Sequence, residues 1–191
     1  MSHSLLPWLT DERSACGVGF IADRRGRVSH DLVTQALAAL TCLEHRGGCS
    51  ADRDSGDGAG LMTGLPWGIL QAWAEAPGLP PLGRGRTGVG MVFLPPQAQM
   101  AAQEWLTQGL QQAGLTVLGW REVPVRPEVL GVQARQNCPA IAQVIVTHPE
   151  LQDDALEQHL YLTRKRLERR VAEQSWGDDF YVCSLLPHDC L

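Results

Sequence analysis

No stretch of this sequence reaches the eighteen or so consecutive apolar residues that a membrane-spanning helix requires, because His, Asp, Glu or Arg interrupts every apolar run. The opening segment MSHSLLPWLTDERSA lacks a basic n-region. Its short apolar patch contains Pro7 and runs into Asp11 and Glu12, so it does not read as a secretory signal. A lipoprotein cleavage site would want an apolar residue three positions before the cysteine, where this chain has Arg13. Excess positive charge is also lacking. The formal net charge is -5, and the arginines are scattered apart from Arg164 to Arg170, so no stripe for a phosphate backbone is evident. Six cysteines include no Cys-x-x-Cys pair, and 191 residues with 44% hydrophobic content can build a core without a disulfide framework. Cys42, His45 and Cys49 could be drawn as a zinc corner, but a fourth ligand and a second compact pair are wanting. These absences point to a globular, cytoplasmic protein that engages neither nucleic acid nor membrane.

What is present is an alternation of strand-like and helix-like segments. CGVGFIAD is rich in Val, Phe and Ile and reads as a strand ended by the turn RRGR. Ser29 then caps a helix whose residues Leu32, Val33, Ala36, Leu37, Leu40 and Leu43 recur on one face, with Gly47 and Gly48 stopping it. The stretch CSADRDSGDGAG must be a loop, since neither helix nor strand interiors favour so many Asp and Gly. LMTGLP follows as a strand and WGILQAWAEA as a short helix, before a connection over Pro77 to Gly88. From Thr87 the reading is strand (TGVGMVFLP), helix (Gln97 to Ala113), strand (LTVLGWREVPV) and strand (AIAQVIVT). A charged helix from about Asp153 to Gln174 and a last strand, FYVCSLL, complete it. Pro124 to Pro139 reads as irregular. The charged helix, with TRKRLERR, reads as a solvated face.

Cys16 stands at the start of the first strand-like run. A free cysteine is commonly a small buried apolar residue, and that reading needs nothing further. A cut immediately before it would change its chemistry. The new α-amine, with a pKa of about 8, could take the proton of the thiol on the same residue, directly or through water. Gly17 would leave room for a substrate at the first peptide unit. Arg46 could complement a helix C-terminus, or hold the amine and strand end of Cys16. The loop DRDSGDGAG fails as a calcium loop, because its sixth position is Asp57 where glycine is required and its twelfth is Thr63 rather than Glu. It also lacks the spacings of a nucleotide-binding loop. What remains is a close-approach loop, in which Gly56, Gly58 and Gly60 let the backbone near the first strand and Asp57 accepts main-chain hydrogen bonds.

In that order, ACGVGFIAD, SHDLVTQALAALTCLEHRGG, ADRDSGDGAGLMTGLPW, GVGMVFLP, LTVLGWREVPV and AIAQVIV resemble the start of the large subunit of glutamate synthases. The resemblance spans nearly the whole chain. It implies an α+β fold: a four-layer αββα N-terminal nucleophile hydrolase sandwich, incomplete in this chain. It also implies that residues 1–15 are a propeptide, and that 16–191 are the N-terminal portion of a class II glutamine amidotransferase domain. Cys16 would be the nucleophile that hydrolyses L-glutamine to glutamate and ammonia through a cysteinyl thioester, for glutamate synthesis from 2-oxoglutarate. Gly17, Arg46, Gly47, Asp57 and Gly58 would shape the surroundings of the nucleophile, with His45, Arg46 and Gly47 matching the family's His-Arg-Gly element. No cofactor or metal is implied in this segment, whereas FMN and an iron-sulfur cluster are expected in the complete enzyme. Expected partners are glutamine, the remainder of the large subunit and the small subunit.

The family's glutaminase domain runs to about twice this length, and its later motifs supply an arginine for the glutamine carboxylate and an Asn-Gly pair for the oxyanion. This chain has a single asparagine, Asn137, followed by Cys138. Losing one oxyanion donor can cost about 10²–10³ in rate. The sequence therefore also admits an inactive truncated fragment, or a non-catalytic interaction module that pairs with the rest of a split subunit. An ending four residues after Pro187, without a polar tail, reads as an interruption.

Overall fold

Two eight-residue runs rich in Val, Ile and Phe, TGVGMVFL and AIAQVIVT, pair along their whole length in the computed structural model of the chain. The structure describes residues 17–43, 48, 54–56, 58–76 and 78–187. They divide into two units, Met1–Leu61 with Gly131–Ala134, and Met62–Leu130 with Arg135–Leu191. In chain order the elements are α1 (His30–Cys42), α2 (Trp67–Glu75), β1 (Thr87–Leu94), α3 (Gln99–Gln112), β2 (Thr116–Glu122), α4 (Val132–Gln136), β3 (Ala140–Thr147), α5 (Asp153–Arg170) and β4 (Tyr181–Leu186). Short 3₁₀ turns lie at Pro96–Ala98, Pro127–Val129, Val171–Glu173 and Gly177–Asp179.

The larger unit is built on one four-stranded antiparallel sheet, ordered β2-β3-β1-β4. Period-two alternation gives the two central strands two apolar faces. Val92, Leu94, Val144 and Val146 face one way, onto Ala102, Leu106 and Leu110 of α3 and Leu156, Leu160 and Leu167 of α5. Val89 and its cross-strand partner Ile145 face the other way, onto Leu70 and Ala74 of α2. Fully burying each Leu, Val or Ile contributes about 1.5–3 kcal/mol. The central ladder is therefore anchored from both sides. In β2 the register slips between Val117 and Gly119. Val117 and Trp120 thereby reach the α3/α5 side, while Leu118 packs with α2 and Gly119 faces the Trp73 ring.

Close packing on the α3/α5 side depends on three glycines. A β-carbon on Gly88 would lie 2.7 Å from Leu160 Cδ1 and 2.9 Å from Val146 Cγ2. One on Gly90 would lie 2.8 Å from Val144 Cγ1. One on Gly109 of α3 would overlap Leu167 Cδ2 of α5. An edge-to-face cluster of Trp105, Trp176 and Phe180 closes the end of this core, with ring centroids 5.6–5.8 Å apart. The β3–α5 connection is fixed by polar contacts. His148 Nδ1 accepts from the Glu150 and Leu151 amides, at 3.1 and 2.9 Å, and the Asp153 amide donates to Gly85 O at 2.7 Å.

Several expectations hold and others need correction. Ser29 caps α1, its hydroxyl accepting from the Asp31 amide at 3.1 Å, and the sheet strands and α2, α3 and α5 lie where the patterns put them. The α5 helix ends at Arg170 and passes into a 3₁₀ turn. Helix α1 ends at Cys42 with Leu43 as its C-cap, ahead of the expected glycine stop. None of its side chains is fully buried, so little tertiary packing supports further turns. The two strands expected at CGVGFIAD and LMTGLP do not form. Their described residues pair with no neighbouring strand, and Val18 and Phe20 are 91% and 94% exposed. Strand propensity without a partner does not make a strand. The irregular span Pro124–Pro139 contains α4 and a 3₁₀ turn. Among the described residues no helix is long and apolar enough to cross a membrane.

The contact between Gly88 and Leu160 yields a quantitative expectation. Gly88→Ala should cost about 1–3 kcal/mol by overpacking, and Leu160→Ala about 2–5 kcal/mol by loss of burial. In urea unfolding of the whole chain, the double variant should cost less than the sum, because truncating Leu160 removes two of the three atoms nearest the new methyl group. Additive costs would mean that the crowding falls on Val146 alone.

Candidate active site

The segment that follows Cys16 belongs to no helix or strand, and Gly17 at its start is half-buried. It ends in a polar turn. Asp23 Oδ1 accepts from the Arg25 amide at 2.6 Å, its Oδ2 pairs with Arg27 Nε at 2.8 Å, and its carbonyl accepts from the Gly26 amide. Gly26 takes φ +65°, a conformation glycine adopts without a steric cost. Three residues later Ser29 opens α1, with Asp31 in its first turn, where a carboxylate complements the helix N-terminus. The RRGR turn and the helix cap are thus local consequences of sequence, and α1 leads toward the His-Arg-Gly element. Cys16, His45, Arg46, Gly47 and Asp57 lie outside the described residues.

On the glycine-rich loop the expected approach to the first strand is seen at none of the three glycines among the described residues. A β-carbon on Gly56 would lie 3.3 Å from Gly48 O, which places Gly56 against the end of the HRGG run rather than against the first strand. Gly58 and Gly60 are exposed, and among the described residues nothing stands within 4 Å of where their β-carbons would be. The first strand does not form, so it offers them no backbone to approach. Sequence reasoning missed the residue that anchors this loop. Ser55 is 3% exposed, and its hydroxyl accepts from the Ala134 amide at 3.1 Å. The two residues are 79 positions apart. No local pattern links them, although a serine inside an Asp/Gly loop was the available signal. Among the described residues no group of three or more His, Cys, Asp or Glu side chains is placed to hold a metal ion, and His45 and Cys49 of the zinc corner lie outside them.

The family profile described as Glutamine amidotransferases class-II matches residues 16–190, and the chain belongs to that family. It is 53% identical over 181 residues to Ferredoxin-dependent glutamate synthase 2 of Synechocystis sp. (strain ATCC 27184 / PCC 6803 / Kazusa), a match covering 93% of this chain and 11% of that protein. It is 48% identical over 180 residues to Ferredoxin-dependent glutamate synthase 1, chloroplastic/mitochondrial, of Arabidopsis thaliana, and 47% identical over 180 residues to Ferredoxin-dependent glutamate synthase, chloroplastic, of Oryza sativa subsp. japonica. Each of those two matches also covers 93% of this chain and 11% of the relative. The chain thus spans about a tenth of the length of the curated relatives it matches.

The Ser29 cap can be tested directly. Ser29→Ala should destabilise α1 by about 1 kcal/mol, while Ser29→Asp, which keeps an acceptor, should cost a few tenths at most. Amide exchange across His30–Cys42 is the measurement. Equal acceleration in both variants would show that the hydroxyl, and not an acceptor in general, is needed.

Proposed function

We propose that this chain is the front of the glutaminase portion of a glutamate synthase, with Cys16 as its nucleophile once residues 1–15 are removed. The observation that carries the reading is that the family match begins at Cys16, the residue such a cut would expose. The thiol proton passes to the new α-amine, and the thiolate sulfur bonds to the side-chain amide carbon of L-glutamine. As the C–N bond breaks, the protonated amine supplies the proton with which ammonia leaves. Water, deprotonated by the same amine, then attacks the thioester and releases glutamate and the thiol. Gly17 leaves space at the first peptide unit, Arg46 holds the amine, and Gly47, Asp57 and Gly58 contribute to the surroundings of the nucleophile.

In the complete enzyme the ammonia would serve glutamate synthesis from 2-oxoglutarate in segments that bind FMN and an iron-sulfur cluster. Those groups belong to the remainder of the large subunit, which together with the small subunit would be the partner of this chain in the cytoplasm. The same reading makes the sheet one inner layer of a four-layer αββα sandwich. In support, α3 and α5 cover one face of the sheet with a continuous apolar core.

Intact mass of the purified chain, before and after incubation with a glutamine-analogue electrophile, tests this reading. The expected result is loss of residues 1–15 and a single adduct that Cys16→Ser abolishes. An uncut leader with no Cys16-dependent adduct would refute it and favour an inactive fragment or interaction module.

A further inference from the structure

We propose that Ser55 and Gly131 are a positioning pair for the glycine-rich loop of the candidate glutaminase site, a role that rests on the functional reading above. Helix α4 begins at Val132, so Gly131 occupies the position from which a capping side chain would normally reach the amide of the second or third helical residue. Glycine has no such side chain. The acceptor comes from the loop instead: Ser55 Oγ takes the hydrogen bond of Ala134, the third residue of α4, at 3.1 Å.

The two positions are mutually dependent. A β-carbon on Gly131 would overlap Ser55 Oγ, and it would stand 2.6 Å from the Ser55 nitrogen and 2.7 Å from the carbonyl carbon of Asp54. Any side chain at residue 131 would therefore displace backbone as well as the hydroxyl. Gly131–Ala134 belong with the N-terminal unit, apart from their neighbours on both sides in the chain, as expected of a segment held by this loop. Ser55 is one of four polar or charged residues buried among those described, so its hydrogen bond forms where water does not compete freely. Asp57 and Gly58 follow within three residues. Fixing Ser55 limits where Gly58 can go, and small misplacements of site groups can lower rates severely.

The test uses the whole chain and two readouts, only one of which needs chemistry. Amide exchange should show residues 54–56 and Ala134 opening at a common rate in the wild type. In Ser55→Ala both should accelerate about tenfold while β1 and β3 amides stay unchanged, and Ser55→Thr, which keeps the oxygen, should restore protection. Labelling of Cys16 by the glutamine-analogue electrophile should slow about tenfold in Ser55→Ala and Gly131→Ala, with iodoacetamide labelling of the same thiol unaffected. An unprotected Ala134 amide, or acceleration at Ala134 without change in the loop or in analogue labelling, would overturn the proposal. If Ser55→Ala fails to fold, the wild-type exchange pattern and Ser55→Thr still decide. A wild-type chain that never labels would defeat the glutaminase reading, leaving exchange to decide whether Ser55 fixes the loop.

Discussion

Leu160 of α5 rests on the backbone of β1 at Gly88, where a β-carbon would come within 2.7 Å of its methyl group. Much of the larger unit follows from that approach. With Gly88 and Gly90 on the helix-facing side, the central strand is thin enough there for α5 and the side chains of β3 to meet over it, and for Leu185 of β4 to reach in from the edge. Gly109 plays the same part between α3 and α5, against Leu167. Interiors are packed near crystal density, so where a glycine removes volume from one element, its neighbour must supply it. Here the leucines of α5 do so at both places. The charged outer side of that helix then sorts by its dipole, with Asp153 and Asp154 in the first turn and Arg169 and Arg170 in the last.

Which parts of this fold could be read from sequence follows from what each pattern encodes. TGVGMVFL and AIAQVIVT announce buried strands through β-branched density, and α3 and α5 announce themselves through apolar spacing. These signals arise from the burial they cause. CGVGFIAD carries the same local signal, yet its described residues form no ladder, because a strand is a property of two segments and propensity reports on only one. The α1 periodicity is equally real, but Leu37 remains 51% exposed. The bulge in β2 and the capping of α4 by Ser55 were illegible for a related reason. Each is set by a contact between distant positions, and a single sequence does not display such contacts.

The candidate site divides along the same line. Cys16, Arg46, Gly47 and Asp57 lie outside the described residues, so their proposed roles rest on residue type and order alone. Of the named supporting residues, the structure describes Gly17, half-buried at the head of a segment outside any sheet, and Gly58, exposed in a loop. The element that holds the loop came from neither motif nor periodicity.

In the described part of the N-terminal unit, order comes from hydrogen bonds more than from apolar burial. The Asp23 turn, the Ser29 cap and the Ser55 contact each satisfy backbone amides, while Val18, Phe20 and Val28 stand more than 90% exposed. A nucleophile whose base is its own α-amine makes an unusual demand on its surroundings. Acid and base are already joined by covalent geometry, so the protein must mainly fix the direction of one chain end and of the loops that face the substrate. Directional hydrogen bonds meet that demand better than non-directional apolar contact, because they set angles as well as distances. On the proposed reading, the large unit, packed by volume, and the described part of the small one, fixed by polar contacts, use different physics for different ends: the first supplies a stable body and the second an orientation.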